Sequence, residues 1–246
     1  MQVKNLGHQL MLLMSQGSDF QSESLLLKEV GSQKPAGLSK QLTGSAKTVR
    51  FKKDEKIFYT GQVFTHLYFL SSGFVKADCI FQNGHYQTNR FIIPGDWFGL
   101  KALGNGYYQS TTTALTDCDL VAVNALILED QMNQNVRMRN TFEAIRSSLM
   151  NQLAHNCVVL STYSVTQKLA HFLIDFQKRL QAINHDNPTI ELPMSRDDLK
   201  SYLGTTTESL SRAFSSLKKA GCFKVQNRTI SEIDFELLQK VADKDD

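Results

Sequence analysis

Three polar side chains near the C-terminal end of the chain have types and a spacing suited to reading base pairs. Glu208, Ser211 and Arg212 lie three and four residues apart, so a helix would present all three on one side. A guanidinium can donate two hydrogen bonds to guanine, a carboxylate can accept one from the amino group of cytosine, and a hydroxyl suits several bases. Residues 209–230 also carry five basic side chains and no acidic one, a composition that suits contact with DNA phosphates.

Two short predicted helices position these side chains. Ser195 begins a helix over residues 196–203, and Gly204 ends it; residues 205–208 then begin a second helix that runs to about Ala220. Two helices joined by a tight turn containing glycine are typical of a helix-turn-helix, and the N-terminal residues of its second helix reach base edges in the major groove. Residues 223–230 predict a two-stranded wing that turns near Gln226 and Asn227. The predicted DNA contacts are Arg196, Thr206, Thr207, Glu208, Ser211, Arg212, Lys218 and Lys219. The alternative is a helical hairpin with a solvated basic face.

A long helix is predicted upstream of this unit, between about Asn133 and Ser161. Apolar residues recur there at helical intervals and form a narrow stripe, as in a two-helix seam. The stripe favours homodimerisation, with Asn156 as a polar contact that sets the register. The predicted interface is Met138, Phe142, Ile145, Leu149, Leu153 and Asn156. The alternative is a helix that packs on its own domain.

Short β-rich runs punctuated by glycine fill residues 48–123 and predict a small antiparallel barrel or sandwich. The predicted strands are Thr48–Phe51, Lys56–Tyr59, His66–Ser71, Phe74–Phe81, His85–Ile93, Tyr108–Ala114 and Asp119–Val123. The chain therefore divides into a leader with short helices (1–46), a β domain (47–125), the long helix (126–162) and a DNA-binding domain (163–246).

Composition narrows the function classes. Among 246 residues there are four cysteines, none of them spaced like a zinc or thioredoxin-like site, and no metal site is predicted. The chain has no apolar segment of membrane-spanning length and no signal peptide. We therefore expect a cytoplasmic protein that does not bind membranes. It also lacks the Gly-x-Ser-x-Gly, His-Glu-x-x-His and phosphate-loop motifs of common enzymes, and we do not expect catalysis.

The order of a glycine-punctuated β block, a long helix and a winged helix-turn-helix resembles the Crp/Fnr superfamily of bacterial transcription regulators. Residues 94–106 (PGDWFGLKALGNG) look like the turn that precedes the effector pocket of that family, and residues 196–212 (RDDLKSYLGTTTESLSR) look like its helix-turn-helix. Glu208, Ser211 and Arg212 are similar to the Fnr-type recognition triplet.

The resemblance implies an α+β fold with an N-terminal cyclic-nucleotide-binding-like antiparallel β-roll, a long dimerisation helix and a C-terminal winged helix-turn-helix. It also implies a homodimer that binds double-stranded DNA near promoters, at a palindrome with TTGAT-like half-sites, and there recruits or blocks RNA polymerase. By the same resemblance, the hairpin over residues 82–85 would contact the polymerase.

The chain departs from the family that it resembles at the residues that would bind an effector. The cyclic-AMP branch has Glu and an Arg-Ser pair where this chain has Leu100 and Gln109-Ser110, so a buried phosphate would lack its cationic partner and cyclic AMP is not expected. Residues 1–78 contain no cysteine, and the β block has two, fewer than the four thiolates of an iron–sulfur cluster. No cofactor is predicted.

Three alternatives stay open for the signal and for the partner. The first is haem held by a histidine, with His8, His66, His85 and His155 as candidates, or another small ligand in the β-roll. The second is a redox response at Cys222, where neighbouring lysines would lower the thiol pKa; the competing interpretation is a small apolar residue of the wing. The third is a ligand-sensing module that docks proteins rather than DNA.

Overall fold

The computed structural model describes residues 46–81, 84, 86–181, 189–226 and 228–244. The strands are β1 Ala46–Phe51, β2 Lys56–Phe58, β3 His66–Ser72, β4 Val75–Ile80, β5 Tyr86–Ile92, β6 Trp97–Phe98, β7 Thr111–Ala114, β8 Cys118–Asn124, β9 Ile190–Glu191, β10 Lys224–Gln226 and β11 Thr229–Ser231. The helices are α1 Ala125–Gln134, α2 Val136–Thr162, α3 Val165–Gln181, α4 Arg196–Leu203, α5 Thr207–Lys219 and α6 Phe235–Ala242, with a 3-10 turn at Leu100–Ala102.

The first eight strands form two antiparallel sheets, with strand orders β1-β8-β3-β6 and β2-β7-β4-β5. Residues 67–70 of strand β3 form a continuous apolar run because both faces of the strand are covered there. Tyr68 and Leu70 point into the core between the sheets, whereas Leu67 and Phe69 pack on the other side with residues of α1 and α2. The sheets therefore form the predicted β-roll, and the helices close its outer face.

The segment predicted as one helix over residues 126–162 is two helices. Asn135 separates α1 from α2, and its side-chain oxygen caps α2 by accepting a hydrogen bond from the backbone amide of Met138 at 3.2 Å. Helix α2 has 27 residues, which corresponds to about 40 Å. None of the helices in the described residues has the length and apolar character needed to span a bilayer.

Helices α4, α5 and α6 pack on helix α3 around one apolar core. Strands β9, β10 and β11 form a three-stranded antiparallel sheet, one strand more than the predicted wing. Helix α6, which the sequence analysis did not predict, buries Leu238 and Ala242 against the same core. This core also takes in Phe91 and Ile93 of the β-roll, so the β-roll and the C-terminal part of the chain share one apolar interior.

The α+β fold class is as predicted, and each predicted strand of the roll corresponds to an observed strand within a few residues. Strand β6 was not predicted, because two residues carry no periodic signal. The leader up to residue 45, most of the hairpin over residues 82–85 and Asn227 of the wing turn lie outside the described residues.

Candidate nucleic-acid interface

Local hydrogen bonds define the first helix of the helix-turn-helix. The Ser195 hydroxyl accepts from the backbone amide of Asp198 at 3.0 Å, and the Asp198 carboxylate accepts from the amide of Ser195 at 2.9 Å. This capping box begins α4 at the predicted residue. Gly204 ends it in the left-handed region, at φ 60°, which a residue with a side chain rarely adopts.

The second helix begins two residues later. Thr206 is its N-cap, and its hydroxyl accepts from the backbone amide of Ser209 at 3.2 Å. Four residues at helical spacing bury one face of α5, namely Leu210, Ala213, Phe214 and Leu217. The opposite face is left to solvent, and it is the face that carries the predicted recognition residues.

The exposed face of α5 forms a shallow, open surface that contains Glu208, Ser211 and Arg212. The structure thus brings together the triplet whose spacing suggested a common face. Ser215 and Ser216 line the same surface with Lys219. The two serines were missed by the sequence analysis, although Ser215 lies four residues after Ser211 and the same helical spacing would have found it.

The two charged side chains of the triplet are held by neighbours on their own helix. Hydrogen bonds from its own backbone amide and from the Thr206 hydroxyl lower the pKa of Glu208, so it is an ionised acceptor at neutral pH. A guanidinium nitrogen of Arg212, Nη2, donates to Ser209 Oγ at 3.0 Å. The helix therefore presents a hydrogen-bond acceptor and a hydrogen-bond donor side by side, as contact with a base pair requires.

Other predicted contacts surround this face. Thr206, Thr207, Lys218 and Lys219 are exposed. The guanidinium of Arg196 lies 3.5 Å from the ring centre of Phe214, so Arg196 joins α4 to α5 through a cation–π contact. Lys224, one of the five basic residues in 209–230, has its charge neutralised because it pairs with Glu232 at 2.7 Å.

The environment of Cys222 contradicts the predicted redox role. Its residue exposure is 0% and it belongs to the core shared with α3. Burial raises the pKa of the thiol, and the nearby Asp234 carboxylate raises it further. A reactive thiol needs accessibility and a lowered pKa, so the redox prediction is wrong and the apolar interpretation describes this residue.

The predicted dimer stripe faces the protomer's own interior. Met138 and Phe142 are 5% and 3% exposed and pack in the core on the outer face of the β-roll, where the Phe142 ring contacts Trp97. Ile145 and Leu149 pack against the same core.

The end of the stripe is also engaged within the protomer. Leu153 lines a cavity of the roll, and the side-chain amide of Asn156 donates to the Tyr202 hydroxyl on α4 at 3.0 Å. Met138 and Phe142 are buried within the protomer, so their assignment to the dimer interface is wrong; for the half-buried Ile145, Leu149, Leu153 and Asn156 the assignment stays a prediction. The physical reason is that the outer face of the β3 sheet must be covered, and this apolar stripe covers it.

A different face of α2 is left without cover in the protomer. Met150 and Val158 are 60% and 57% exposed, and Cys157 is also exposed. Residues 147–167 contain no Asp, Glu, Lys or Arg, although charged residues make up 21% of the chain. An exposed helix face with large apolar groups and no charge is typical of a surface that another protein covers.

A small cavity lies beside Gly99 and Leu100, in the motif that resembles the family's pocket turn. It has a volume of about 40 Å³ and is lined by Gln109 and Ser110 of the roll and by Leu149 and Leu153 of α2, among others. Ligand sites commonly measure about 300–1,000 Å³, so this cavity is far smaller than a usual ligand site.

Two cationic residues, Arg90 and Lys101, line this cavity, and the sequence analysis missed both. Arg90, on β5, has its guanidinium 3.3 Å from Asp96 and donates to the backbone oxygen of Trp97 at 3.1 Å. Its position on a strand, outside the family motif, carries no sequence signal. Among the residues that the structure describes, no group of three or more His, Cys, Asp or Glu side chains could hold a metal ion.

Two family models match the chain. The model of the cyclic nucleotide-binding domain matches residues 48–135, and that of the Crp-like helix-turn-helix domain matches residues 167–241. The first covers the β-roll and α1, and the second covers the capped helices of the candidate interface.

Curated relatives and solved structures agree with these matches. The nitrogen fixation regulation protein FixK of Bradyrhizobium diazoefficiens is 29% identical over 195 residues, which cover 79% of this chain and 81% of that protein. The fumarate and nitrate reduction regulatory protein of Escherichia coli K12 is 25% identical over 191 residues, 78% of this chain and 76% of that protein. The structure of FixK2 from Bradyrhizobium japonicum superposes with a TM-score of 0.75 at 25% identity and covers 82% of this chain and 99% of that one.

Proposed function

The chain belongs to the Crp/Fnr family of transcription regulators, and we propose that it acts as a homodimer on a palindromic DNA site near promoters. The exposed face of α5 carries this proposal. On this face the acceptor Glu208 and the donor Arg212 lie beside serine hydroxyls and flanking lysines, and the other face of the helix is fully buried. By resemblance to the Fnr branch, the half-sites are TTGAT-like.

Dimerisation is proposed through the uncharged face of α2. Ser147, Met150, Ala154, Cys157 and Ser161 follow one another at intervals of three, four, three and four residues, which is the heptad spacing of a two-helix seam. A two-fold axis along this seam would pair the recognition helices of the two copies. Each helix would then enter one of two successive major grooves, about one helical turn apart.

No cofactor is part of the proposal. The absence of an arginine at position 109 and the small cavity argue against cyclic AMP. An iron–sulfur cluster needs closely grouped thiolates, whereas Cys157 lies on α2 and Cys222 lies buried in the DNA-binding part. An absorption spectrum recorded on protein purified without oxygen tests both this statement and the haem alternative. A Soret band or a broad iron–sulfur band contradicts it.

Recruitment or blocking of RNA polymerase, and action in the cytoplasm, complete the proposed function by resemblance to the family. The exposed Phe81 and Tyr86 flank the hairpin assigned to polymerase contact. Transcription from a promoter that carries the selected site, with purified polymerase and with or without this protein, tests that assignment. An unchanged transcript level contradicts it.

The DNA-binding proposal is tested by selecting duplexes from a random pool and measuring affinity by fluorescence anisotropy over a range of salt concentrations. We expect a palindromic consensus and a steep decrease of affinity with salt. Arg212→Ala should cost roughly 1–3 kcal/mol and relax the preference at one base pair, whereas Lys219→Ala should weaken all sequences alike.

Arg50→Ala is the matched control, because Arg50 is an exposed arginine of β1 that pairs with Asp119 on the roll. It should bind as the wild type does. Absence of binding at low salt would favour the module that docks proteins instead. Normal site recognition by Arg212→Ala would overturn the assignment of α5 as the recognition helix.

A further inference from the structure

The β-roll holds the first helix of the helix-turn-helix directly. The backbone amide of Thr88, on β5, donates to Ser201 Oγ on α4 at 2.9 Å. The ammonium of Lys76, on β4, donates to the Asp198 carboxylate on α4 at 2.5 Å. The Tyr202 ring lies 5.1 Å from that of Phe91 on β5. Helix α4 is thus docked along the β4–β5 edge by an ion pair, a hydrogen bond and an aromatic contact.

At this contact Lys76 balances the charges of two carboxylates. Lys76 lies 3.4 Å from Asp78 as well as beside Asp198, and the side chains of the three residues are 16%, 9% and 12% exposed. Burial opposes the charged form of Lys76, but the two carboxylates outweigh it and raise the lysine pKa. Without the ammonium, two largely buried carboxylates would face each other across the contact, and their repulsion would push α4 away from β4.

The docking of α4 bears on the orientation of the recognition helix because α4 and α5 are closely joined. Helix α5 follows α4 after a short turn at residues 204–206, and Arg196 ties the two helices together through Phe214. A movement of α4 on the roll is therefore passed directly to α5.

We propose that Lys76 is a positioning residue for DNA recognition, which holds α4 on the β4–β5 edge of the roll and thereby sets the orientation of α5. It acts through Asp198 and touches no base. In a dimer, two recognition helices must match grooves at a set separation, so loosening each α4 lowers the affinity for the palindrome. This inference rests on the proposed function and extends it to the β-roll.

The test is Lys76→Met, which keeps an apolar stem of similar length and removes the charge. We expect the affinity for the selected palindrome to decrease about tenfold, within the usual range of coupling between sites, while the protein stays dimeric. The Thr88 amide should exchange its hydrogen faster, because its bond to Ser201 reports the docking. Lys52→Met is the control: Lys52 pairs with Asp117 at 2.8 Å on the solvent-exposed surface of the roll, and both readouts should remain at the wild-type level.

A double variant separates positioning from general damage. Adding Asp198→Asn to Lys76→Met removes one of the two facing carboxylates, while the side-chain oxygen can still cap α4. Part of the lost affinity should therefore return. If the two substitutions only disturbed the fold in general, their effects on affinity would instead be additive. If Lys76→Met does not fold, Ser201→Ala removes only the hydroxyl that binds Thr88 and should lower the affinity severalfold. Wild-type affinity in the folded variant overturns the inference. Failure of the wild-type protein to bind DNA overturns the proposed function instead.

Discussion

Asp96 of the β-roll pairs with Arg90 on β5 and with Arg179 on α3, so it joins the roll to the DNA-binding part, and replacing it should be strongly destabilising. Its Oδ2 atom accepts from Arg179 Nη2 on α3 at 2.5 Å, lies 3.3 Å from Arg90 Nη2 and accepts from the Ile93 amide at 3.1 Å. The side chains of Arg179, Arg90 and Asp96 are 8%, 16% and 17% exposed. Asp96→Asn keeps the shape of the side chain and an acceptor for the Ile93 amide, but leaves two guanidinium groups without the carboxylate between them.

The expected cost follows from this geometry. Removing one partner of a buried ion pair costs about 3–5 kcal/mol. The lower end of this range applies, because Arg179 keeps a hydrogen bond to the Phe91 carbonyl and Arg90 keeps one to the Trp97 carbonyl, both at 3.1 Å. We therefore expect the free energy of unfolding to decrease by about 3 kcal/mol.

The matched control is Asp117→Asn. Asp117 also accepts hydrogen bonds from a lysine ammonium, that of Lys52, and from a backbone amide, that of Lys53. The side chains of Lys52 and Asp117, however, are 75% and 64% exposed. This exposed pair should contribute little to stability, because solvent and salt screen its charges.

The assay is urea unfolding at pH 7 and one fixed protomer concentration, since the proposed dimerisation would make stability depend on concentration. Added salt should shrink the effect of Asp117→Asn and leave that of Asp96→Asn almost unchanged, because buried pairs are screened less. The reasoning is refuted if Asp96→Asn costs no more than Asp117→Asn.

Three further predictions concern the helix face, the cysteines and pH. Met150→Glu should shift the protein from dimer to monomer in sedimentation velocity, whereas Ser148→Glu, which is not a residue of the seam, should not; equal behaviour contradicts the proposed seam. Mild oxidation of the native protein should cross-link two copies through Cys157 and leave the buried Cys222 unmodified in peptide mapping; a dimer bond at Cys222 would contradict its burial. Burial opposes ionisation of Asp198, but hydrogen bonds from Lys76 and Ser195 outweigh it and lower its pKa. The contribution of the Asp198 carboxylate to stability is therefore complete above its unfolded pKa of 3.8 and is lost as the pH falls through its lower folded pKa. Urea unfolding of the wild type and of Asp198→Asn between pH 7 and 3 would measure this loss.

The helix-turn-helix could be predicted closely because its signals are local. A capping box at Ser195, a left-handed glycine at 204 and a hydroxyl cap at Thr206 each depend on residues within one turn of the chain. The exposed face of α5 follows from helical spacing alone. These features do not depend on what the helices pack against, so the amino-acid sequence is sufficient to predict them.

The long helix shows where such reasoning ends. Periodicity identified the apolar stripe of α2 correctly but carried no information on what covers it. The stripe packs on the roll through Met138 and Phe142, and the face suited to a second copy is a weaker pattern built around Met150 and Cys157. Both faces have helical spacing, and only the position of the outer β sheet distinguishes them.

The sequence by itself therefore determined the fold class, the order of most elements and the exposed face of α5, because these depend on local caps, turns and periodicity. The tertiary structure alone decided which surfaces meet. It buried Cys222, which the sequence placed among cations, and it brought Lys76 to Asp198 and Asp96 to Arg179 across 122 and 83 residues of chain. Burial, charge pairing and docking are properties of neighbours in space, and no spacing along the chain encodes them.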